Sequence, residues 1–173
     1  MNVLEIFQSI TTFVFDVDGV LTDGAIWVMP GPVMVRRMNV KDGYAIQLAV
    51  KKGYHILVIS GGYSLEAEQR LQKLGVKNIF MRVDDKVSVL KEYLDKYSLQ
   101  QNEVLYMGDD MPDYEAMQFA GLPCCPADAV SDIKRLCKYV SSIRGGEGCV
   151  REVIEKVLRL RGDWFVDTII QTK

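Results

Sequence analysis

Residues Thr12–Gly24 read TFVFDVDGVLTDG, and the architecture of the chain can be worked out from this stretch. Thr12–Asp16 opens with β-branched and aromatic side chains in a run too short for a helix, which predicts a strand. No polar residue alternates within Thr12–Phe15, so the strand suits a sheet buried on both faces. The run then breaks at Asp16-Val17-Asp18-Gly19-Val20, a turn. In open α/β sheets ligands gather beyond the carboxyl ends of the strands, so this turn is the first place to look for chemistry.

The same pattern continues along the chain. Apolar runs at His55–Ser60, Asn78–Met81 and Val104–Gly108, with weaker ones at Leu122–Cys125 and Tyr139–Val140, predict further strands. Helical periodicity falls between and around them, at Val3–Ser9, Gly43–Lys52, Ser64–Leu74, Lys86–Tyr97, Asp113–Ala120 and Val150–Leu160. Gly53, Gly75 and Gly121 follow three of these helices, the usual position of a left-handed stop. Ala25–Met29 and Val33–Arg37 flank Pro30-Gly31-Pro32 and predict a β-hairpin inserted after the first strand. The fold class expected is a doubly wound, Rossmann-like parallel α/β sheet with a hairpin flap at about 25–37 and no cap domain. Residues 1–173 are expected to form a single domain.

Composition excludes several classes. The chain has 173 residues, 49% hydrophobic and 25% charged, with 21 basic and 23 acidic residues giving a net charge of −2. That is a globular composition without the basic stripe of a nucleic-acid binder, and no apolar run is long enough for a membrane span. The start, MNVLEIFQS, lacks a basic leader, and Cys124, Cys125, Cys137 and Cys149 form no CxxC pair. Reduced thiols in a cytoplasmic core are expected.

The predicted strand ends carry a coherent set of side chains. Asp16 and Asp18 follow the first strand, Ser60-Gly61-Gly62 the second, and Gly108-Asp109-Asp110-Met111-Pro112-Asp113 the fourth. Lys86 opens the helix after the third. Taken singly, each has a plain explanation: D-x-D as a turn, Ser60 as a helix-start residue, Lys86 as a solvated first-turn lysine, Asp113 as a helix cap. Together, carboxylates at one rim repel unless a cation neutralises them, and hard oxygen ligands suit Mg²⁺. A serine, a lysine and glycine N–H groups suit a phosphate. The combination points to phosphoryl transfer, with an aspartate as covalent nucleophile.

These four motifs resemble those of the haloacid dehalogenase superfamily of aspartate-nucleophile phosphatases. FDVDGVLTDG, NVKDGYAI, GDDMPD and RGGEGCVREV are similar, more narrowly, to the 3-deoxy-D-manno-octulosonate 8-phosphate (KDO 8-phosphate) phosphatase family. The resemblance implies removal of phosphate from a 2-keto-3-deoxy sugar acid during the building of bacterial surface polysaccharide. It implies Asp16 as nucleophile and Asp18 as proton donor and then base. Mg²⁺ would sit on the Asp16 carboxylate, the Asp18 carbonyl and Asp109, supported by Asp110 and Asp113. Ser60 and Lys86 would hold the phosphoryl group, with Gly61, Lys41 and Arg144 as further substrate contacts. The family usually reads Thr-Gly-Arg where this chain has Ser60-Gly61-Gly62, and Lys41 stands where arginine is common. Both departures affect recognition of the sugar and leave the phosphoryl chemistry intact.

Forty-four positions separate Asp16 from Ser60 and twenty-three separate Lys86 from Asp109, so neither gap holds a lid domain. An open site admits water, which phosphoryl transfer usually avoids. The resemblance implies a homotetramer in which the hairpin helps close a neighbour's site, and the apolar Ile26, Trp27, Val28, Met29, Val33, Met34 and Val35 favour burial against a partner. Arg144-Gly145-Gly146-Glu147-Gly148 is the other candidate mobile element, either a plain loop or a substrate-gating tail. His55 reads as a strand residue without a catalytic role, and Trp27 and Trp164 as packing residues. Three other readings compete: a nonulosonic acid 9-phosphate or small nucleotide as substrate, a catalytically idle partner-binding module, and a phospho-accepting receiver. A receiver carries its phosphorylated Asp after the third strand and its Lys after the fifth, an order this chain does not follow.

Overall fold

The structure, a computed structural model, describes residues 2–31 and 34–170. Pro32 and Val33 of the expected hairpin lie outside the described residues. Among the described residues six strands form one parallel sheet: β1 (Thr12–Phe15), β4 (His55–Ile59), β5 (Asn78–Phe80), β6 (Val104–Met107), β7 (Leu122–Cys125) and β8 (Tyr139–Val140). Their order is β5-β4-β1-β6-β7-β8, with Phe13 of β1 in register with Ile56 on one side and Leu105 on the other. The chain leaves β1 toward β4 and β5, then returns past β1 to build β6, β7 and β8. This reversal opens a crevice at the carboxyl ends of β1, β4 and β6, the place where doubly wound sheets bind ligands.

Alternation along the strands divides the core. Phe13 and Phe15 pack with Phe7 of α1 (Val3–Ser9), Ile46 of α2 (Val40–Lys51), Leu71 of α3 (Leu65–Lys73) and Val153 of α7 (Cys149–Leu160). Val14, Leu57, Ile59 and Tyr106 face the other way, onto Leu90 of α4 (Lys86–Tyr97), Met117 of α5 (Tyr114–Phe119) and Ile133 of α6 (Ser131–Leu136). In α7 the buried positions Val150, Val153, Ile154, Val157 and Leu158 follow the spacing of a one-sided apolar helix face.

Several boundaries move for local reasons. α2 begins at Val40 rather than Gly43, because the Asn39 side chain caps it by accepting from Lys41 N–H at 2.9 Å. Gly43 does not break that helix. A Cβ there would stand 3.1 Å from Leu74 Cδ2, so the glycine permits a close approach to the end of α3. Gly53 and Gly75 are left-handed stops, with φ +85° and +93°. Gly121 is not one: its φ is not positive, and a Cβ would lie 2.5 Å from the Asn102 carbonyl oxygen, so crowding selects the glycine there. The sequence pattern does not predict α6, since its six residues bury only Ile133 and show no period.

The hairpin forms with shorter strands than expected. Trp27 lies opposite Val35 and Val28 opposite Met34 in an antiparallel pair, β2 (Trp27–Val28) with β3 (Met34–Val35). Trp27 is 69% exposed and Val28 81%, so Trp27 does not pack within its own chain as expected, because the hairpin stands away from the body. Trp164 does pack, edge-on to Tyr44, and His55 opens β4 with Nδ1 3.0 Å from the Tyr93 hydroxyl. All four cysteines are free thiols, and no helix among the described residues is long and apolar enough to cross a membrane.

Candidate active site

A cleft of about 370 Å³ opens at the crevice, lined by Asp16, Asp18, Gly24, Ser60, Gly61, Gly62, Lys86, Asp109, Asp110, Pro112 and Asp113. All four motifs therefore converge on one place. Asp16 is fixed by continuation of the sheet, its N–H donating to the Met107 carbonyl at 3.1 Å. Beyond it Val17–Leu21 forms a kinked turn, in which Asp18 is extended (φ −77°, ψ 117°) and Gly19 takes φ +89°. Thr22, fully buried, ties the turn down by accepting from Gly19 N–H and Gly24 N–H, each at 3.2 Å.

Lys86 is the cationic centre. It starts α4, whose cap is Asp85, accepting from Ser88 N–H at 3.0 Å. The Lys86 side chain turns into the cleft instead of solvent and is only 4% exposed. Its ammonium donates to Asp16 Oδ1 at 2.9 Å and to Asp113 Oδ1 at 2.7 Å. Burial works against that charge, yet the two carboxylates outweigh it and raise the lysine's pKa. Asp113 sits at the cap position of α5 but makes no cap hydrogen bond. It also accepts from the Tyr106 hydroxyl at 2.9 Å and from Asp109 N–H at 3.3 Å. Gly108 makes room for it: a Cβ there would lie 2.5 Å from Asp113 Cβ.

The charge balance is one-sided. Asp16, Asp109 and Asp113 each present a carboxylate oxygen within 4.8 Å of the others, against one ammonium. Burial, reinforced by Asp113 and only partly relieved by Lys86, pushes Asp16 up to about 7. Burial and then the charges of Asp16, Asp113 and Asp110 push Asp109 up to about 7 as well. A divalent cation supplies the missing positive charge, and an all-oxygen donor set fits Mg²⁺. Asp113 is already committed to Lys86 and Tyr106, which leaves Asp16 and Asp109 as the carboxylates freer to hold it.

Ser60 is buried at the end of β4 and its Oγ accepts from Gly62 N–H at 3.2 Å, while Ser64, not Ser60, caps α3. Asp110 is exposed and caps the short turn Met111–Asp113, accepting from Met111 N–H at 2.8 Å. Two expected substrate contacts are not brought to the cleft. Lys41 is exposed in the first turn of α2, and Arg144 is exposed and pairs with Asp128 at 3.3 Å. The glycines after Arg144 dock on the Asp16 turn rather than hanging free. Gly146 N–H donates to the Val20 carbonyl at 3.0 Å, and Gly145 lies so close to Gly19 that no Cβ fits.

Sequence reading missed Arg36 and Tyr106. Arg36 Nε donates to Asp18 Oδ1 at 2.6 Å and Nη2 to Oδ2 at 3.2 Å, a two-pronged ion pair. Its neighbour Arg37 turns outward to Asp23 at 2.9 Å and Glu147 at 2.5 Å, linking hairpin, Asp16 turn and glycine loop.

A parallel sheet with a D-x-D turn, a serine, a buried lysine and a second acidic cluster defines a haloacid dehalogenase-like hydrolase, and the family model of that description matches residues 78–152. The 3-deoxy-D-manno-octulosonate 8-phosphate phosphatase of Escherichia coli K12 is 32% identical over 155 residues, 90% of this chain and 82% of the relative. The corresponding Yersinia pestis crystal structure superposes with a TM-score of 0.90 at 31% identity, covering 93% of this chain and 87% of that one. A Moraxella catarrhalis phosphatase of the same name, in complex with magnesium ion, phosphate ion and KDO, gives a TM-score of 0.89 at 28% identity, covering 93% and 92%. The chain belongs to the KDO 8-phosphate phosphatase family of the haloacid dehalogenase superfamily.

Proposed function

We propose that this protein hydrolyses the phosphomonoester of KDO 8-phosphate, or a closely similar 2-keto-3-deoxy sugar acid phosphate, for surface polysaccharide synthesis in the cytoplasm. The observation that carries the reading is the buried Lys86 ammonium between Asp16 and Asp113, with Asp109 and Ser60 on the same cleft. The relatives' names supply the substrate, and the Moraxella complex, with phosphate and KDO together, holds the two products of that hydrolysis.

In this reading an Asp16 carboxylate oxygen attacks phosphorus, the ester P–O bond breaks, and Asp18 gives a proton to the departing sugar alkoxide. Asp18 then takes a proton from water, whose oxygen attacks phosphorus and releases phosphate and free Asp16. Ser60, oriented by the Gly62 N–H, and the Gly61 N–H donate to the phosphoryl oxygens, and Lys86 offsets their charge. Asp16, Asp109 and the Asp18 carbonyl would hold Mg²⁺, which when bound neutralises charge on the phosphoryl group. Asp113 and Tyr106 position Lys86, and Asp110 holds the turn beside Asp109.

The whole of 1–173 acts as one catalytic domain, with the hairpin at 25–37 as its flap. A homotetramer assembled through that flap is supported by the exposure of Trp27 and Val28 and by a cleft that its own chain leaves open. A nonulosonic acid 9-phosphate is the second substrate reading, favoured by the placement of Lys41 away from the cleft.

Phosphate release with Mg²⁺ from KDO 8-phosphate and nonulosonate 9-phosphates, beside an Asp16→Asn control, tests the proposal. Preference for one acid, lost with EDTA and in the control, is expected. Release that survives Asp16→Asn overturns the nucleophile.

A further inference from the structure

Arg36 stands where the acidic cleft meets a second hollow. Its side chain is 7% exposed, against 30% for the Asp18 carboxylate it grips. Both Asp18 oxygens are engaged, one by Nε and one by Nη2. The guanidinium lies over Gly62: a Cβ there would stand 3.0 Å from Asp18 Oδ2 and 3.5 Å from Arg36 Nη2. A side chain at position 62 would press on the Asp18 carboxylate, so the glycine leaves room for the Asp18–Arg36 pair at the cleft. On its other side a hollow of about 310 Å³, lined by Met34, Val35, Met38, Val40 and Ala67 among others, leaves room for the side chain to move.

This geometry conflicts with the chemistry assigned to Asp18. A carboxylate held on both oxygens by a guanidinium is oriented toward the arginine, and must turn one oxygen away to meet a leaving alkoxide. One prong must open during turnover, and a fork built for carboxylates opens most readily onto another carboxylate. We propose that Arg36 is the specificity-determining residue for the acid group of the substrate, exchanging Asp18 for the substrate carboxylate as the sugar acid binds. Recognition of the acid and release of Asp18 are then one event. A phosphate ester without a carboxylate leaves Asp18 masked and turns over slowly, however well its phosphate fits. This inference rests on the reading of Asp18 as the proton donor.

The test pairs kinetics with binding in Arg36→Gln and Arg36→Lys. The substrates are KDO 8-phosphate and arabinose 5-phosphate, a sugar phosphate with no carboxylate. The binding probe is KDO, titrated calorimetrically. In Arg36→Gln the ratio of kcat/KM for the acid over the aldose ester is expected to fall about 100-fold, by loss on the acid and gain on the aldose. KDO affinity is expected to fall at least about 10-fold, and Arg36→Lys to lie between. A proportional loss on both esters would reduce Arg36 to an orienter of Asp18 and overturn the proposal, as would unchanged KDO affinity. Wild-type protein that releases phosphate from neither ester sinks the functional reading instead, and KDO affinity alone then decides the role of Arg36. Should Arg36→Gln fail to fold, Arg36→Lys carries both measurements.

Discussion

The Asp109 carboxylate occupies the space that a side chain at Gly19 would need. A Cβ built on Gly19 runs into that carboxylate, and the φ of +89° at Gly19 is one that L side chains rarely adopt. The turn after β1 and the acidic end of β6 therefore fit together only through a glycine. Gly19→Ala is expected to displace Asp109, cutting phosphate release by about 10²-fold or more and lowering stability by about 1–3 kcal/mol. Steady-state kinetics at saturating Mg²⁺ together with urea denaturation check both. Normal kcat with normal affinity for Mg²⁺ would show that the turn tolerates the methyl group.

Lys86 is held by two buried carboxylates, and removing it leaves both uncompensated. Lys86→Met is expected to lose about 10²–10³-fold in phosphate release and, without metal, about 3 kcal/mol of stability. Lys86→Arg restores charge but not the compact ammonium, so it recovers stability more than activity. Denaturation of the three proteins in EDTA, beside their turnover with Mg²⁺, separates the two roles. Equal recovery of both by arginine would mean that any positive charge suffices.

The residues that declare themselves in sequence are those at the ends of apolar runs. Phe15 running into Asp16, and Met107 running into Gly108-Asp109, mark both the strand and the site, because backbone periodicity alone puts them at the rim. Arg36 gives no such signal. It follows a two-residue strand and is adjacent to Arg37, and only the folded hairpin decides that one arginine turns inward and the other out. Tyr106 was legible as an apolar strand residue, but the use of its hydroxyl depends on Asp113, seven positions later. Resemblance, and not strand register, points to Lys41 and Arg144, and the fold sets both outside the cleft lining. α6 was hidden because a helix of less than two turns with one buried side chain leaves no period to read.

The exposed hairpin makes a prediction about assembly. Trp27→Ser combined with Val28→Ser removes largely exposed apolar surface outside the core, so the subunit should fold normally. Light scattering is expected to show the assembled mass for the wild type and a smaller species for the double variant, with KM raised as the cleft loses its cover. An unchanged mass would place the assembly surface elsewhere.

Metal binding should carry a proton signature. Asp16 and Asp109 are both pushed up to about 7, and a bound Mg²⁺ requires them unprotonated. Affinity is therefore expected to rise with pH through 7 and then level off, with Kd at pH 6 about 10-fold or more above that at pH 8. Calorimetry in two buffers of different ionisation heat would register the protons released near pH 6.5. The same Kd at both pH values would mean the carboxylates are ionised before the metal arrives.

Asp42 offers a test of stability that does not touch the reaction. It lies buried between α2 and α7, where its Oδ1 accepts the Arg151 N–H at 2.7 Å while its Oδ2 finds no partner. Burial pushes its carboxyl up to about 6, against lowering contributions from Arg151. The group favours the fold when protonated, so its contribution is complete below about pH 4 and is lost as pH rises through about 6. Asp42→Asn keeps an acceptor for Arg151 and has no charge to bury. Relative to wild type, the variant is expected to gain on the order of 2–3 kcal/mol between pH 4 and pH 7.5. Urea denaturation of both proteins at the two pH values measures that difference, and the shared titration of other groups cancels. A difference independent of pH would mean that Asp42 is already ionised in the fold, sustained by a neighbour other than the Arg151 amide.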